Sequence, residues 1–487
     1  MRNPASREPI AKVDTAWLRM EQPTNLMMIT GVVTLSAPVP YEQLLKTIET
    51  RWLAFKRFRQ KAVDRPGGAY WITDKDFEIH AHVRRVALPG KADQHELEEY
   101  VSDLASTALD PSRPLWQFHY IENYIGGPVI VQRIHHCYAD GIALIQVFLS
   151  LTDKGPEPQP VALDPDRWRK RQIERSSVFR RLMEPARDGL GTALHWSRKL
   201  MAEGVRVVND RQHAAHLVDE ASGLARELVH SLSLPDDPKT LFKGRLGARK
   251  RVAWAEPLPL DQVKALSKAL GCTVNDLLIA TVTGSLNSYL LKRGEDPDVR
   301  TEIRATVPVN LRPLEHAKEL GNHFGLVFLS LPVGERNPLR RVRCVHERMN
   351  ELKSGRQATV AFGLLAALGM GPSALQKPAL ELLSDKATTV LTNVPGPRQP
   401  LYLAGARVKD MMFWVPQNGS IGMGISILSY DGQVFFGVIT DRKLVPEPHD
   451  IIEQFKPEFD KLVYLSLMIP TNLPESPELA EQLLLQQ

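Results

Sequence analysis

Apolar and polar positions along the chain switch repeatedly between a period of two and a period near 3.6. The run Leu26–Leu35 (LMMITGVVTL) is apolar and rich in β-branched residues, which predicts a buried strand. Pro40 then opens YEQLLKTIETRWLAFKRF, where Leu44, Leu45, Ile48, Trp52 and Phe55 recur at helical spacing. A second helix is predicted over Asp93–Ala108, and strands over Leu115–Ile121 and Pro128–Ile134, separated by a Gly126-Gly127 turn. A further helix is predicted from Gly141 to Thr152. Pro156, Pro158, Pro160 and Pro165 then mark a boundary, and the stretch to about Leu234 is helical in pattern and poor in strand formers.

The mixed pattern resumes near Arg251. Leu260–Leu270 is helical, Gly271 breaks it, and Thr273-Val274-Asn275-Asp276 leads into the largely apolar helix LLIATVTGSLNSYLL. Strands are predicted at Arg304–Val309, Leu326–Pro332, Thr389–Thr392, Ser426–Ser429 and Val434–Ile439, with Asp431-Gly432 as a hairpin turn. The expectation is an α/β protein with mixed sheets covered by helices, divided into lobes at 1–155 and 246–487 and a helical linker at 156–245.

Composition narrows the class. The chain has 487 residues, 43% apolar and 24% charged, which is ordinary for a globular protein, and its net charge of +5 is far below that of a dedicated nucleic-acid binder. Cys137, Cys272 and Cys344 cannot make a disulfide framework and fit a reducing compartment. There is no signal-peptide core, and the apolar stretches Gly141–Leu151 and Thr359–Met370 are too short to span a bilayer. These features predict a cytoplasmic protein, with peripheral attachment to the inner face of a membrane left open. The basic run Arg167–Arg181 reads either as a solvated helix face or, with Trp168, Val178, Phe179 and Leu182, as an anchor on anionic lipid.

The densest candidate chemistry is His135-His136-Cys137-Tyr138-Ala139-Asp140-Gly141, at a strand-to-helix junction. Adjacent side chains on a strand point to opposite faces, so the two histidines cannot readily share a metal, and no metal-ligand spacing accompanies them. Two readings remain open. One is a pair of satisfied histidines ending a strand, with Asp140 as a helix N-cap. The other is a general base, since a neutral imidazole accepts a proton from a hydroxyl near pH 7. In that reading Gly141 allows close approach of substrate, and Asp140 fixes the loop that holds His136. Cys137 points away from His136 and reads as packing, not as a nucleophile. Trp116 reads as core.

HHCYADG resembles the HHxxxDG signature of the bacterial wax ester synthase/diacylglycerol acyltransferases, within the CoA-dependent acyltransferase superfamily. Pro114-Leu115-Trp116, Asn275-Asp276, Val307–Pro313 (VPVNLRP), Gly321–Gly325 (GNHFG), Thr392–Pro397 (TNVPGP) and Pro400–Val408 (PLYLAGARV) occur in the family's order, from about Asp14 to Lys443. The resemblance implies two chloramphenicol-acetyltransferase-like lobes joined by a helical linker, with a tunnel between them. It implies a fatty acyl-CoA donor and a long-chain alcohol or diacylglycerol acceptor, hence wax ester or triacylglycerol as product. CoA enters as a co-substrate, and no metal or bound cofactor is required.

On that resemblance His136 takes the acceptor's hydroxyl proton and the oxygen attacks the thioester directly. Asn275 is the expected donor to the developing oxyanion, with a helix N-cap as its alternative reading, and Asn393 is the second choice for that donor. His135, Gly141 and Asn393 are expected to line the substrate site. Arg312 is the expected partner of Asp140; Arg312, Trp116 and Asp276 are expected to be structural. Departures are the bulky Tyr138 within the signature, Thr392 before NVPGP, and Thr24-Asn25 where the family often has Met-His. Each leaves acceptor identity and chain length open. The rival readings are another acyl transfer on this scaffold, such as peptide condensation or acetylation of a small hydroxylated compound, and a non-catalytic lipid-surface protein.

Overall fold

The computed structural model describes residues 7–65, 68–139, 141–157, 235–310, 324–354 and 384–468. In chain order the strands are β1 (Glu8–Pro9), β2 (Met28–Leu35), β3 (Gln60–Arg65), β4 (Gly68–Thr73), β5 (Val83–Val86), β6 (Trp116–Ile121), β7 (Val129–His135), β8 (Thr152–Asp153), β9 (Lys250–Trp254), β10 (Leu258–Pro259), β11 (Ile303–Asn310), β12 (Phe324–Leu331), β13 (Thr389–Pro395), β14 (Tyr402–Leu403), β15 (Ala406–Trp414), β16 (Met423–Tyr430) and β17 (Gln433–Asp441). The helices are α1 (Lys12–Met20), α2 (Tyr41–Thr47), α3 (Gln94–Ala105), α4 (Gly141–Ser150), α5 (Leu260–Ala269), α6 (Val274–Lys292), α7 (Pro338–Ser354), α8 (His449–Ile452) and α9 (Phe455–Leu467).

Two mixed seven-stranded sheets organise two lobes. The first runs β5-β6-β7-β2-β15-β14-β8; the second runs β10-β17-β16-β13-β11-β12, with β9 also on β17. A small sheet β1-β4-β3 flanks the first. The sheets do not follow the division at residue 246. β14 and β15 come from the second half of the chain but lie in the first sheet, where Met412 pairs with Val32 and Trp414 with Thr30. The expected linker lies mostly outside the described residues, and its described parts, 156–157 and 235–245, are irregular and not helical. The basic run Arg167–Arg181 and the stretch Thr359–Met370 are likewise outside them. Among the described residues no single helix is long and apolar enough to cross a membrane.

Local chemistry explains the main elements. The predicted helix from Tyr41 is helical only to Thr47, then passes through a π turn over Ile48–Trp52. The hydroxyls of Thr47 and Thr50 bond back to the carbonyls of Gln43 and Lys46, competing with the regular ladder. That turn brings Arg51 inward, where it meets both oxygens of buried Asp153 at 2.9 Å. Asp431 and Gly432 form a two-residue hairpin with φ of 45° and 77°, the left-handed geometry that a tight β16–β17 connection requires. In the second lobe α6 is buried almost all round. Its Thr281 and Thr283 hydroxyls are satisfied by Leu277 and Ile279 carbonyls one turn back. Gly284 leaves room there for the buried Arg341–Glu458 pair at 2.6 Å; a Cβ would lie 2.3 Å from Glu458 Oε2.

The lobes meet along α3 and the edge strand β9. Glu98, Ser102 and Ser106, spaced four apart along α3 and its C-terminal cap, accept hydrogen bonds from the N–H groups of Trp254, Val252 and Lys250 at 3.3, 3.0 and 2.8 Å. Four helical residues rise about 6 Å, and two strand residues rise about 6.7 Å, so one helix face matches alternate residues of the strand. The open edge of β9 is thereby paired by side chains. Lys250, itself buried, reaches Asn25 of the first lobe at 2.8 Å and Asp441 at 3.4 Å. His449 on α8 completes the contact by bonding to Glu98.

The hydrogen bond to Glu98, assisted by its charge and opposed by partial burial, raises the His449 pKa above the ordinary histidine value. A raised folded-state pKa stabilises the folded form fully below the unfolded value of about 6.5 and loses that contribution as pH rises through the folded value. The melting temperature is therefore expected to lose this increment as pH rises above about 6.5, and His449→Ala to flatten that part of the profile. Identical profiles for the two proteins would show that the pair adds nothing to lobe contact.

Candidate active site

The candidate site is built where β7 ends. Met28 pairs with His135 as the last rung between β2 and β7, and the His136 N–H then bonds to the Met27 carbonyl at 2.7 Å. The Tyr138 N–H closes a turn onto the His135 carbonyl at 3.1 Å, and α4 begins at Gly141. Asp140 and its expected partner Arg312 lie outside the described residues.

The two histidines have separate surroundings. Nδ1 of His135 accepts from the Cys137 N–H at 3.1 Å, so the ring proton sits on Nε2, which lies 3.1 Å from Glu21 Oε2. Both ring nitrogens are therefore engaged within the protein, and the buried ring has neither left for substrate. Glu21 also accepts the Met27 N–H at 3.3 Å. Burial pushes the Glu21 carboxyl up, but its bonds to His135 and Met27, with the attraction of His135, more than offset this and hold it below the usual carboxylate range. His136 is 4% exposed and stacks on Trp17 of α1, ring centroids 4.3 Å apart and planes 27° from parallel.

Cys137 is fully buried, and burial pushes its thiol well above the ordinary range, which disfavours a thiolate there and fits a packing role. The Tyr138 ring does not shape a pocket; it lies in the core of the first lobe. It stacks parallel to Phe58 and meets Trp71 edge-on. Its hydroxyl donates to the Gln60 carbonyl at 2.6 Å and accepts from the Leu115 N–H at 3.0 Å. Trp116 is also core, fully buried, with Nε1 donating to the Phe58 carbonyl at 2.8 Å and its ring stacked on His82. Thr392 faces the sheet interior against Ser426, 3.1 Å away. Asn25, at one of the departures from the family pattern, bonds to the Gly419 and Ile421 carbonyls and to Lys250, tying the first lobe to the second.

On the second lobe the fold brings Asn275 and Asn393 together. Asn393 Nδ2 donates to Asn275 Oδ1 at 2.9 Å, which commits the oxygen of Asn275 and turns its NH₂ the other way. The cap of α6 is Thr273, not Asn275: Thr273 and Asp276 form a reciprocal capping box. Asn275 is thus released from the capping role. Asp276 is fully buried, accepts from the Thr273 N–H at 2.9 Å and lies 2.7 Å from His346 Nδ1, a structural position.

Trp17 and Glu21 are the two contributors that motif reading does not reach. The spacing of Val13, Trp17 and Met20 marks one apolar face of a helix, but nothing in EQPTN distinguishes Glu21 from a surface acid. A cavity of about 680 Å³ opens on the lobe boundary, lined in part by Trp254, Leu258, Gln262, His449, Ile452 and Phe459; neither histidine of the motif lines it.

Residues 10–278 match the model for the wax ester synthase/diacylglycerol acyltransferase catalytic domain, and residues 320–463 that for the WS/DGAT C-terminal domain. The chain is 29% identical over 468 residues to a Mycobacterium tuberculosis protein named "Probable diacyglycerol O-acyltransferase tgs1", covering 94% of this chain and 96% of that one. Among solved structures it superposes on the wax ester synthase/diacylglycerol acyltransferase from Marinobacter aquaeolei VT8 with a TM-score of 0.66 at 20% identity, covering 94% of this chain and 99% of that one. It also superposes on the TRI3 trichothecene 15-O-acetyltransferase from Fusarium sporotrichioides with a TM-score of 0.58 at 10% identity, covering 93% and 95% of the two chains. These two likenesses show a shared fold.

Replacing Tyr138 by Phe leaves the Gln60 carbonyl and the Leu115 N–H unpaired in the core, which is expected to cost about 2–3 kcal/mol in denaturant unfolding. An unchanged midpoint would show that the ring alone anchors the loop. Two mixed sheets of this topology, the HHxxxDG turn at the end of β7 and matches to both domain models place this chain in the wax ester synthase/diacylglycerol acyltransferase family, as an acyltransferase.

Proposed function

We propose that the protein transfers a fatty acyl group from acyl-CoA to the hydroxyl of a long-chain alcohol or a diacylglycerol, with His136 as general base. The observation that carries this reading is the division of labour between the histidines. His135 has both ring nitrogens committed to Cys137 and Glu21, which supports His136 as the proton acceptor of the pair.

In the proposed reaction neutral His136 removes the hydroxyl proton as the acceptor oxygen bonds to the thioester carbonyl carbon. The tetrahedral intermediate collapses with cleavage of the C–S bond, and the departing thiolate takes the proton back from the imidazolium to leave as CoA thiol. Negative charge passes through the carbonyl oxygen. Asn275 is the proposed donor to it, its amide held by Asn393 so that little reorganisation is needed when the charge develops. Trp17 stacked on the base and the ring's low exposure favour transfer to an alcohol over hydrolysis, since water is the competing nucleophile.

Purified protein incubated with palmitoyl-CoA and hexadecanol, or with palmitoyl-CoA and diacylglycerol, is expected to release thiol and form the corresponding ester. His136→Ala is expected to lower turnover by about 10² to 10⁴ with an unchanged circular dichroism spectrum. Turnover close to wild type in that variant would remove His136 from the base role. Asn275→Ala is expected to lower kcat by about 10² to 10³; an effect confined to KM would make Asn275 a binding residue instead.

A further inference from the structure

Helix α1 lies far from the HHxxxDG turn in sequence, yet one of its faces touches both histidines. Trp17 and Glu21 are four residues apart, on the helix and at its C-terminal cap, and therefore lie over one another on the same side. Trp17 stacks on His136, and Glu21 holds His135 through its Nε2–H. The same Glu21 oxygen accepts the Met27 N–H, and the Met27 carbonyl accepts the His136 N–H. The chain Glu21–Met27–His136 and the chain Glu21–His135–Cys137 thus grip the backbone on either side of the base from a single carboxylate oxygen.

We propose that Glu21 is a positioning residue for acyl transfer: by bonding His135 and Met27 together it holds the end of β7, and with it the His136 ring, at the place where the acceptor hydroxyl loses its proton. This rests on the assignment of His136 as base. Glu21 itself touches no reacting atom. Its contribution lies in where the bond ends, not in its charge, because one acceptor oxygen serves both donors.

The distinction sets the experiment. Glu21→Gln keeps an oxygen at the same reach, whereas Glu21→Asp keeps the charge and shortens the side chain by one methylene. With palmitoyl-CoA and hexadecanol, Glu21→Gln is expected to retain kcat within about three-fold of wild type, and Glu21→Asp and Glu21→Ala to lose roughly ten- to hundred-fold in kcat, the scale of an ångström-level misplacement. KM for both substrates is expected to stay within about two-fold, since nothing that binds them has changed. Should Glu21→Ala not fold, the order of Gln against Asp decides. Wild-type kcat in Glu21→Asp, or a loss in Glu21→Gln as large as that in Glu21→Asp, overturns the proposal. His136→Ala measured alongside separates the two claims: if it retains turnover the base assignment fails, whereas if it is dead and the Glu21 variants break the expected order, only the role of Glu21 fails.

Discussion

The hydrogen bond from the His136 N–H to the Met27 carbonyl marks the point where a regular β ladder stops and a turn begins. One residue earlier, alternation along β7 would dictate which face a side chain takes. At this point the backbone is released from the ladder, so two sequence-adjacent imidazoles occupy unlike environments. One is spent on holding the turn, with a defined tautomer; the other stacks on an indole. An arrangement of this kind needs an external reference to keep the turn from wandering, and α1 provides it. The rigidity of the site is therefore borrowed from a helix that precedes the first long strand.

The proposed mechanism has a second requirement, that the donor group of one lobe face the base of the other. Nothing local to either sheet ensures that. Two long-range features join the lobes: β15 leaves the second half of the chain to pair with β2 in the first sheet, and α3 lays its four-residue-spaced acceptors along the edge of β9. The first makes the lobes inseparable in topology. The second fixes their contact in register, because the helix rise over four residues and the strand rise over two nearly coincide. Lys250 joins Asn25 to Asp441 at the same boundary, a buried cation whose burial lowers its pKa while the Asp441 carboxylate acts in the opposite direction.

Much of this was legible from pattern alone. The β-branched run that ends at Leu35 becomes β2, the strands after Leu115 and Pro128 become β6 and β7, and Asp431-Gly432 makes the predicted turn, because each of those signals is local. The helix from Tyr41 was only half legible, since back-bonding threonines accompany a π turn that no periodicity announces, and that turn carries Arg51 to buried Asp153. β15 reads only as part of a motif: its partner β2 lies near the opposite end of the chain, and pairing at that distance leaves no trace in one sequence. The family motifs located His136 and brought Asn275 and Asn393 into view. They did not show that the two asparagines bond to each other, that Thr273 frees Asn275 from capping, or that Tyr138 faces the core.

The proposed reaction requires the hydroxyl to be acylated to reach His136. The most direct measurement is a crystal structure of the protein with a non-reactive acyl-CoA thioether analogue and hexadecanol. The alcohol oxygen is expected within about 2.6–3.2 Å of a ring nitrogen of His136, with the Asn275 amide facing the position of the carbonyl oxygen. An alcohol bound elsewhere, with the His136 ring still closed over by Trp17 and out of its reach, would contradict it.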